Sequence, residues 1–92
     1  MSKRSAIEIQ INARVRAPRN GRAITKELIH QAIQYRVTHG ENPAGIDLHI
    51  VRWRHSANDR WTRGRASNWD EFARFLPAAS FIVGQIKSVR SR

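Results

Sequence analysis

The stretch "AIEIQINARVR", residues 6–16, alternates between apolar and polar side chains from Ile7 onward. Isoleucine, alanine and valine occupy the odd positions from Ile7 to Val15, and mostly polar or charged residues occupy the even ones. Successive side chains of a β-strand point to opposite faces, so this pattern predicts a strand with one covered and one exposed face. The exposed face is predicted to carry Gln10, Asn12, Arg14 and Arg16.

The apolar period changes in "ITKELIHQAIQYRVTHG", residues 24–40. Apolar residues recur there every three or four positions, which predicts an amphipathic helix. Thr25 is suited to be its N-cap, and Gly40 is suited to end it, because glycine readily adopts the left-handed conformation found after many helices. A helix therefore follows the first strand.

Alternation returns in "GIDLHIVRWRH", residues 45–55. Placing Ile46, Leu48 and Ile50 on the covered face leaves the odd positions exposed. "SAND" then predicts a reversal and "RWTRGR" a short returning strand, in which the face of Trp61 depends on the length of the loop. On the second strand, the residues predicted to be exposed are Asp47, His49, Val51, Trp53 and His55.

The last third of the chain predicts a short helix and one further element. Asn68, followed three residues later by Glu71, resembles a capping box that opens a helix through "WDEFARFL", which Pro77 would stop. The segment "ASFIVGQIKSVRSR", residues 79–92, has apolar positions compatible with a strand or a helix. Its content of phenylalanine, isoleucine and valine favours the strand.

The predicted order is strand, helix, strand, strand, helix, strand. Two βαβ units in this order predict an α+β fold, a ferredoxin-like βαββαβ sandwich with an antiparallel sheet and both helices on one face. If the last segment were helical, the sheet would have three strands but would keep its open face. We expect a single basic domain over residues 1–92, with flexible tails at 1–5 and 90–92.

Charge narrows the range of partners. The 92 residues include 17 Lys or Arg against 7 acidic residues, a formal net charge of +10. A surface this basic favours an anionic partner, and nucleic acid is the commonest one. The chain has no cysteine, no signal-like apolar region and no apolar run long enough to span a bilayer, so we expect a cytoplasmic or nucleoid-associated protein without a membrane partner.

The open face of the sheet and the arginine-rich hairpin, residues 50–65, form the predicted binding surface. Trp53 is expected to stack on a base while arginines bind phosphates, with Gln10 and Asn12 reaching bases or sugars. Single-stranded RNA or DNA is favoured, because no predicted helix carries the basic cluster needed to enter a major groove. The predicted nucleic-acid-binding residues are Arg14, Arg16, Arg19, Arg22, Arg52, Trp53, Arg54, Arg60, Arg63 and Arg65.

Two other functions are compatible with the same sequence. An adaptor or inhibitor that docks on an acidic protein or a ribonucleoprotein complex would use Trp53 and Trp61 as binding hot spots. A metal-dependent nuclease would need Asp47 and His49 together with ligands from another chain. A homodimer is also possible. The four histidines form no recognisable ligand pattern, so we expect no metal. The sequence has no glycine-rich phosphate loop and no nucleophile elbow, so we expect no catalytic residues and no cofactor.

Overall fold

The computed structural model describes residues 7–16, 24–75 and 79–89. The α+β class and the element order βαββαβ are confirmed, and the last segment is a strand. The predicted tails at 1–5 and 90–92 and the helix stop at Pro77 lie outside the described residues. The elements are β1 (Glu8–Arg16), α1 (Lys26–His39), β2 (Ile46–Arg54), β3 (Thr62–Arg63), α2 (Asn68–Phe72) with a following 3₁₀ turn (Ala73–Phe75), and β4 (Ser80–Val89).

The four strands form one mixed sheet in the order β3-β2-β1-β4. β2 is antiparallel to both β1 and β3, whereas β4 is parallel to β1. The expectation of an antiparallel sheet is therefore wrong. β3 runs in the same direction as β1, and the connection through α2 returns the chain to the end of the sheet where β3 began. β4 consequently starts beside the start of β1 and runs parallel to it.

One face of the sheet carries the hydrophobic core. The odd residues of β1 are buried from Ile7 to Val15, and Ile9 and Ile11 have no exposed surface. Both helices contribute to the same cluster, which confirms that they cover one face. Burial of side chains of this size contributes about 1.5–3 kcal/mol each. The other core residues are Ile29, Ala32, Ile33, Leu48, Ile50, Trp69 and Phe72.

The ends of α1 are formed as predicted. The Oγ1 atom of Thr25 accepts a hydrogen bond from the Leu28 N–H at 3.2 Å. Gly40 has a φ of 81°, and its N–H donates to the Arg36 carbonyl at 2.9 Å. These contacts satisfy backbone groups that a helix end leaves without partners.

A β-bulge interrupts the pairing of β1 with β2. Gln10 lies opposite Arg52 but Ile11 lies opposite Ile50, so Val51 is an extra residue in β2. The Gly64 N–H donates to the Val51 carbonyl at 2.9 Å, and a Cβ on Gly64 would overlap the backbone carbonyl of Ile50. One extra residue exchanges the faces of all side chains that follow it in the strand.

A second bulge lies in β4. Ile11 is opposite Val83 and Ala13 is opposite Ile86, which places two residues of β4 where regular pairing has one. Asn12 holds this bulge, because its Oδ1 atom accepts a hydrogen bond from the Gln85 N–H at 2.8 Å. A Cβ on Gly84 would lie too close to the same oxygen. The bulge returns Ile86 to the covered face and Lys87 to the open face.

Candidate nucleic-acid interface

The face of the sheet opposite the helices is strongly basic. The strand register places the even residues of β1 on this open face, together with their direct neighbours on β2 and β4. Its acidic residues among those described are Glu8 and Asp47. The cationic side chains on it are Arg14, Arg16, Arg52, Arg54, Arg63 and Lys87.

Trp53 does not belong to the open face. It lies opposite the buried Ile9 and packs against the hydrophobic core, with its ring 5.6 Å from that of Phe72 in an edge-to-face arrangement. Its indole N–H is buried and has no hydrogen-bond partner among the described residues. The prediction of an exposed stacking residue at this position is wrong, because the bulge at Val51 turns the side chain toward the helices.

Trp61, and not Trp53, is the tryptophan that lies beside arginines on the open face. The Cζ atoms of Arg52 and Arg54 lie 4.2 and 4.1 Å from its ring centroid, a cation–π geometry. The two guanidinium groups also have partners on β1. The Nε atom of Arg52 donates to the Gln10 Oε1 at 2.6 Å, and Arg54 forms an ion pair with Glu8 in which Nη2 and Oε1 are 2.8 Å apart. We call Glu8, Gln10, Arg52, Arg54 and Trp61 the arginine–tryptophan cluster.

A shallow depression lies beside this cluster on the open face. Its volume is about 270 Å³. Arg14 and Lys87 are direct neighbours across β1 and β4, and neither forms an ion pair with a described residue. Asn12 uses its Oδ1 for the bulge, which leaves its amide NH₂ as a donor. The residues that line this central depression are Asn12, Ala13, Arg14, His49, Gln85 and Lys87.

The remaining predicted residues have different positions. Arg63 lies opposite Arg52 on the open face, whereas Arg60 and Arg65 are exposed in the segments that flank β3. Arg19 and Arg22 lie outside the described residues. Five predicted residues are therefore brought together on one face: Arg14, Arg16, Arg52, Arg54 and Arg63.

The predicted capping box at Asn68 is present only in part. Ser67 is the N-cap of α2, and Asn68 lies inside the first turn. Its Oδ1 accepts a hydrogen bond from the Arg65 N–H at 2.6 Å, and its Nδ2 is 3.4 Å from the Glu71 Oε1. The Asn68 side chain therefore joins α2 to the end of the arginine-rich hairpin.

The predicted binding set omitted Trp61, His49, Gln85 and Lys87. If the alternation from Ile46 to Ile50 continued along β2, Arg52 and Arg54 would point into the core, where unpaired guanidinium groups are costly. That conflict was a signal for a bulge, and a bulge moves Trp53 inward. The position of Lys87 had no comparable signal, since it depends on pairing between β1 and β4.

The described residues offer neither a metal site nor a membrane-spanning helix. They contain no group of three or more His, Asp or Glu placed to hold a metal ion. Neither described helix is long and apolar enough to cross a membrane. No protein-family model, curated protein or solved structure matches this chain.

Proposed function

We propose that the protein binds single-stranded RNA or DNA on its open sheet face, as a non-catalytic module. One observation carries this proposal. Six cationic side chains and the indole of Trp61 share a face that has no helix over it among the described residues and that carries two carboxylates.

The arginine–tryptophan cluster supplies both kinds of contact that a single strand requires. Guanidinium groups bind phosphates with two parallel hydrogen bonds, and their planes also accept stacked bases. An aromatic ring adds about 1–3 kcal/mol per stacked base. Contacts with Gln10 and Glu8 restrict Arg52 and Arg54 before any ligand binds, so less side-chain entropy is lost on binding.

The width of the basic face favours a single strand over a duplex. Four strands at a spacing of about 4.8 Å span about 14 Å between the outer two, before side chains are counted. The major groove of B-DNA is about 12 Å wide and admits a helix or a two-stranded ribbon. A sheet of this width cannot enter the groove. A single-stranded nucleic acid, by contrast, can lie across the open face with its bases against the sheet.

Fluorescence anisotropy with labelled oligonucleotides of about 15 residues tests the proposal. Single-stranded RNA, single-stranded DNA and a duplex of the same sequence are titrated between about 50 and about 400 mM salt. If about five phosphates are neutralised, log affinity should fall with log salt with a slope of about −3.5 for a single strand. A slope near zero, or tighter binding of the duplex, would contradict the proposal.

A matched pair of variants separates surface position from net charge. Arg63→Gln removes a charge from the open face, whereas Arg74→Gln removes one from the helical layer. Arg63→Gln should make the salt slope less negative by about 0.7, and Arg74→Gln should leave it nearly unchanged. Equal effects would show that overall charge, and not this face, determines binding.

An acidic protein is the rival partner for the same surface. It would be attracted by the same arginines but would offer no bases to stack on Trp61. Polyglutamate is therefore added as a competitor at the same charge concentration as unlabelled oligonucleotide. Displacement as effective as that by the oligonucleotide would favour the protein partner.

A further inference from the structure

We infer that the central depression is a subsite for a terminal phosphate, the phosphomonoester dianion at the end of a bound strand. This inference rests on the proposed function and specifies which part of the nucleic acid enters the depression. The arginine–tryptophan cluster then binds the bases next to that phosphate.

The depression contains two like charges, Arg14 and Lys87, neither of which forms an ion pair with a described residue. Arg14 and Lys87 are direct neighbours on β1 and β4, a placement that is destabilising for two cations. Asp47 is opposite Arg14 on β2, but it neither lines the depression nor forms an ion pair with Arg14. An anion held between the two cations relieves their repulsion, and a dianion does so more fully than the singly charged phosphodiester inside a chain.

Hydrogen-bond donors surround the pair of cations in the depression. Asn12 has its oxygen engaged by the Gln85 N–H, so the atoms of its side chain left for a ligand are the two N–H donors. The side chains of His49 and Gln85 complete the lining of the depression. Several donors of this kind suit a terminal phosphate, which exposes three acceptor oxygens.

The bulge in β4 holds one side of the depression in place. Between the pairs Ile11–Val83 and Ala13–Ile86, β1 has one residue, Asn12, whereas β4 has two, Gly84 and Gln85. A Cβ on Gly84 would meet the Asn12 Oδ1, so the glycine lets the Asn12 side chain reach β4. The bulge and the glycine thereby fix Asn12 and Gln85, two of the residues that line the depression.

The central depression and the arginine–tryptophan cluster differ in how far their cations are already paired, which indicates which part of the nucleic acid each one binds. Arg54 is already partly neutralised by Glu8, and Arg52 already donates to Gln10, whereas Arg14 has no such partner among the described residues. Gln10 and Arg14 are four residues apart on β1, about 13 Å at the usual strand rise. A nucleic acid with its terminal phosphate in the depression can therefore place the adjoining nucleotides against the arginine–tryptophan cluster.

Inorganic phosphate tests the subsite directly in the intact protein. ¹H–¹⁵N correlation spectra are recorded during a titration with sodium phosphate and compared with sodium chloride at the same ionic strength. The inference expects saturable shifts at the backbone amides of Asn12, Gln85 and Lys87. Arg14→Gln and Lys87→Gln should abolish them, and Arg63→Gln, on the same face but outside the depression, should keep them. Shifts that rise in proportion to salt over all basic residues would overturn the inference.

Phosphorylated oligonucleotides test the biological form of the ligand. Three single strands of one sequence are compared, with a 5′-phosphate, a 3′-phosphate or hydroxyl groups at both ends. One phosphorylated form should bind about tenfold more tightly than the unphosphorylated one, the effect of about 1.4 kcal/mol from added charge-assisted hydrogen bonds. This preference should disappear in Lys87→Gln and persist in Arg63→Gln. Equal affinities for all three strands would overturn the inference.

The two experiments distinguish failure of the inference from failure of the proposed function. Binding of all three strands with equal affinity would refute the terminal-phosphate subsite and leave the open face as a nucleic-acid interface. Absence of binding by any strand would refute the proposed function. The phosphate titration would then decide the subsite alone, since localised saturable shifts support it and uniform shifts overturn it.

Discussion

Trp53 and Trp61 stand eight positions apart on the same hairpin, yet their surroundings are opposite. Trp53 packs beside Phe72 under the helices, whereas Trp61 lies against Arg52 and Arg54 on the open face. Both residues follow arginine in the sequence, so local composition does not separate them. The bulge at Val51 does, since it turns Trp53 inward and leaves Arg52 and Arg54 beside Trp61. A single extra residue thus divides the hairpin into a side that packs against the core and a basic side on the open face.

Truncating the two tryptophans gives the largest expected difference. Trp53→Ala removes a ring that packs against the core and should lower the free energy of unfolding by about 3 kcal/mol. Trp61→Ala should cost only about 1 kcal/mol, because Trp61 is half-buried and its ring contacts are cation–π pairs at the surface of the sheet. Urea unfolding followed by circular dichroism measures both. Equal costs would mean that the two rings do not lie on different faces.

The bulge itself can be strained by a single methyl group. In Gly64→Ala the new Cβ meets the Ile50 carbonyl, so the hairpin backbone must shift, at a cost of about 2 kcal/mol. Gly40→Ala is the control: its Cβ meets no atom within 4 Å, but its φ of 81° carries a penalty of about 1 kcal/mol. Thermal unfolding compares the two variants. A smaller cost at position 64 than at position 40 would contradict the close approach at the bulge.

Binding should show the reverse order of the two tryptophans. Trp61→Ala should weaken single-strand binding about tenfold, because a stacked base contributes roughly 1–3 kcal/mol. Trp61→Phe, which keeps a ring, should recover part of the loss. Anisotropy at one fixed salt concentration measures the affinities. An unchanged affinity in Trp61→Ala would remove stacking from the proposed function and leave only phosphate contacts.

The smallest effect concerns the ion pair that holds Arg54. Glu8→Gln removes its charge, and because the pair is partly exposed, unfolding free energy should change by less than about 1 kcal/mol. Affinity for an oligonucleotide should rise about two- to threefold, since Arg54 becomes fully available to phosphate. The salt slope should become more negative by about 0.7. Weaker binding in this variant would show that Glu8 positions Arg54 productively.

Local patterns predicted much of the fold. The alternation in β1, the helix with its Thr25 cap and the end of that helix at Gly40 are confirmed by contacts within a few residues. The inward rows of β1 and of the first half of β2 are confirmed as well. Predictions became wrong where a face or direction depended on distant partners, as for Trp53 and for the direction of β4.

The sequence by itself determined the order of elements, the apolar rows and the excess of cations, because these follow from side chains a few positions apart. Tertiary structure decided which tryptophan meets the arginines and that Lys87 stands beside Arg14. The physical reason lies in the two bulges. Each exists because a glycine lets its backbone approach another strand closely, at Ile50 in one case and at Asn12 in the other. Each shifts the strand by one residue, and in a β-strand one residue is the difference between the core and the solvent.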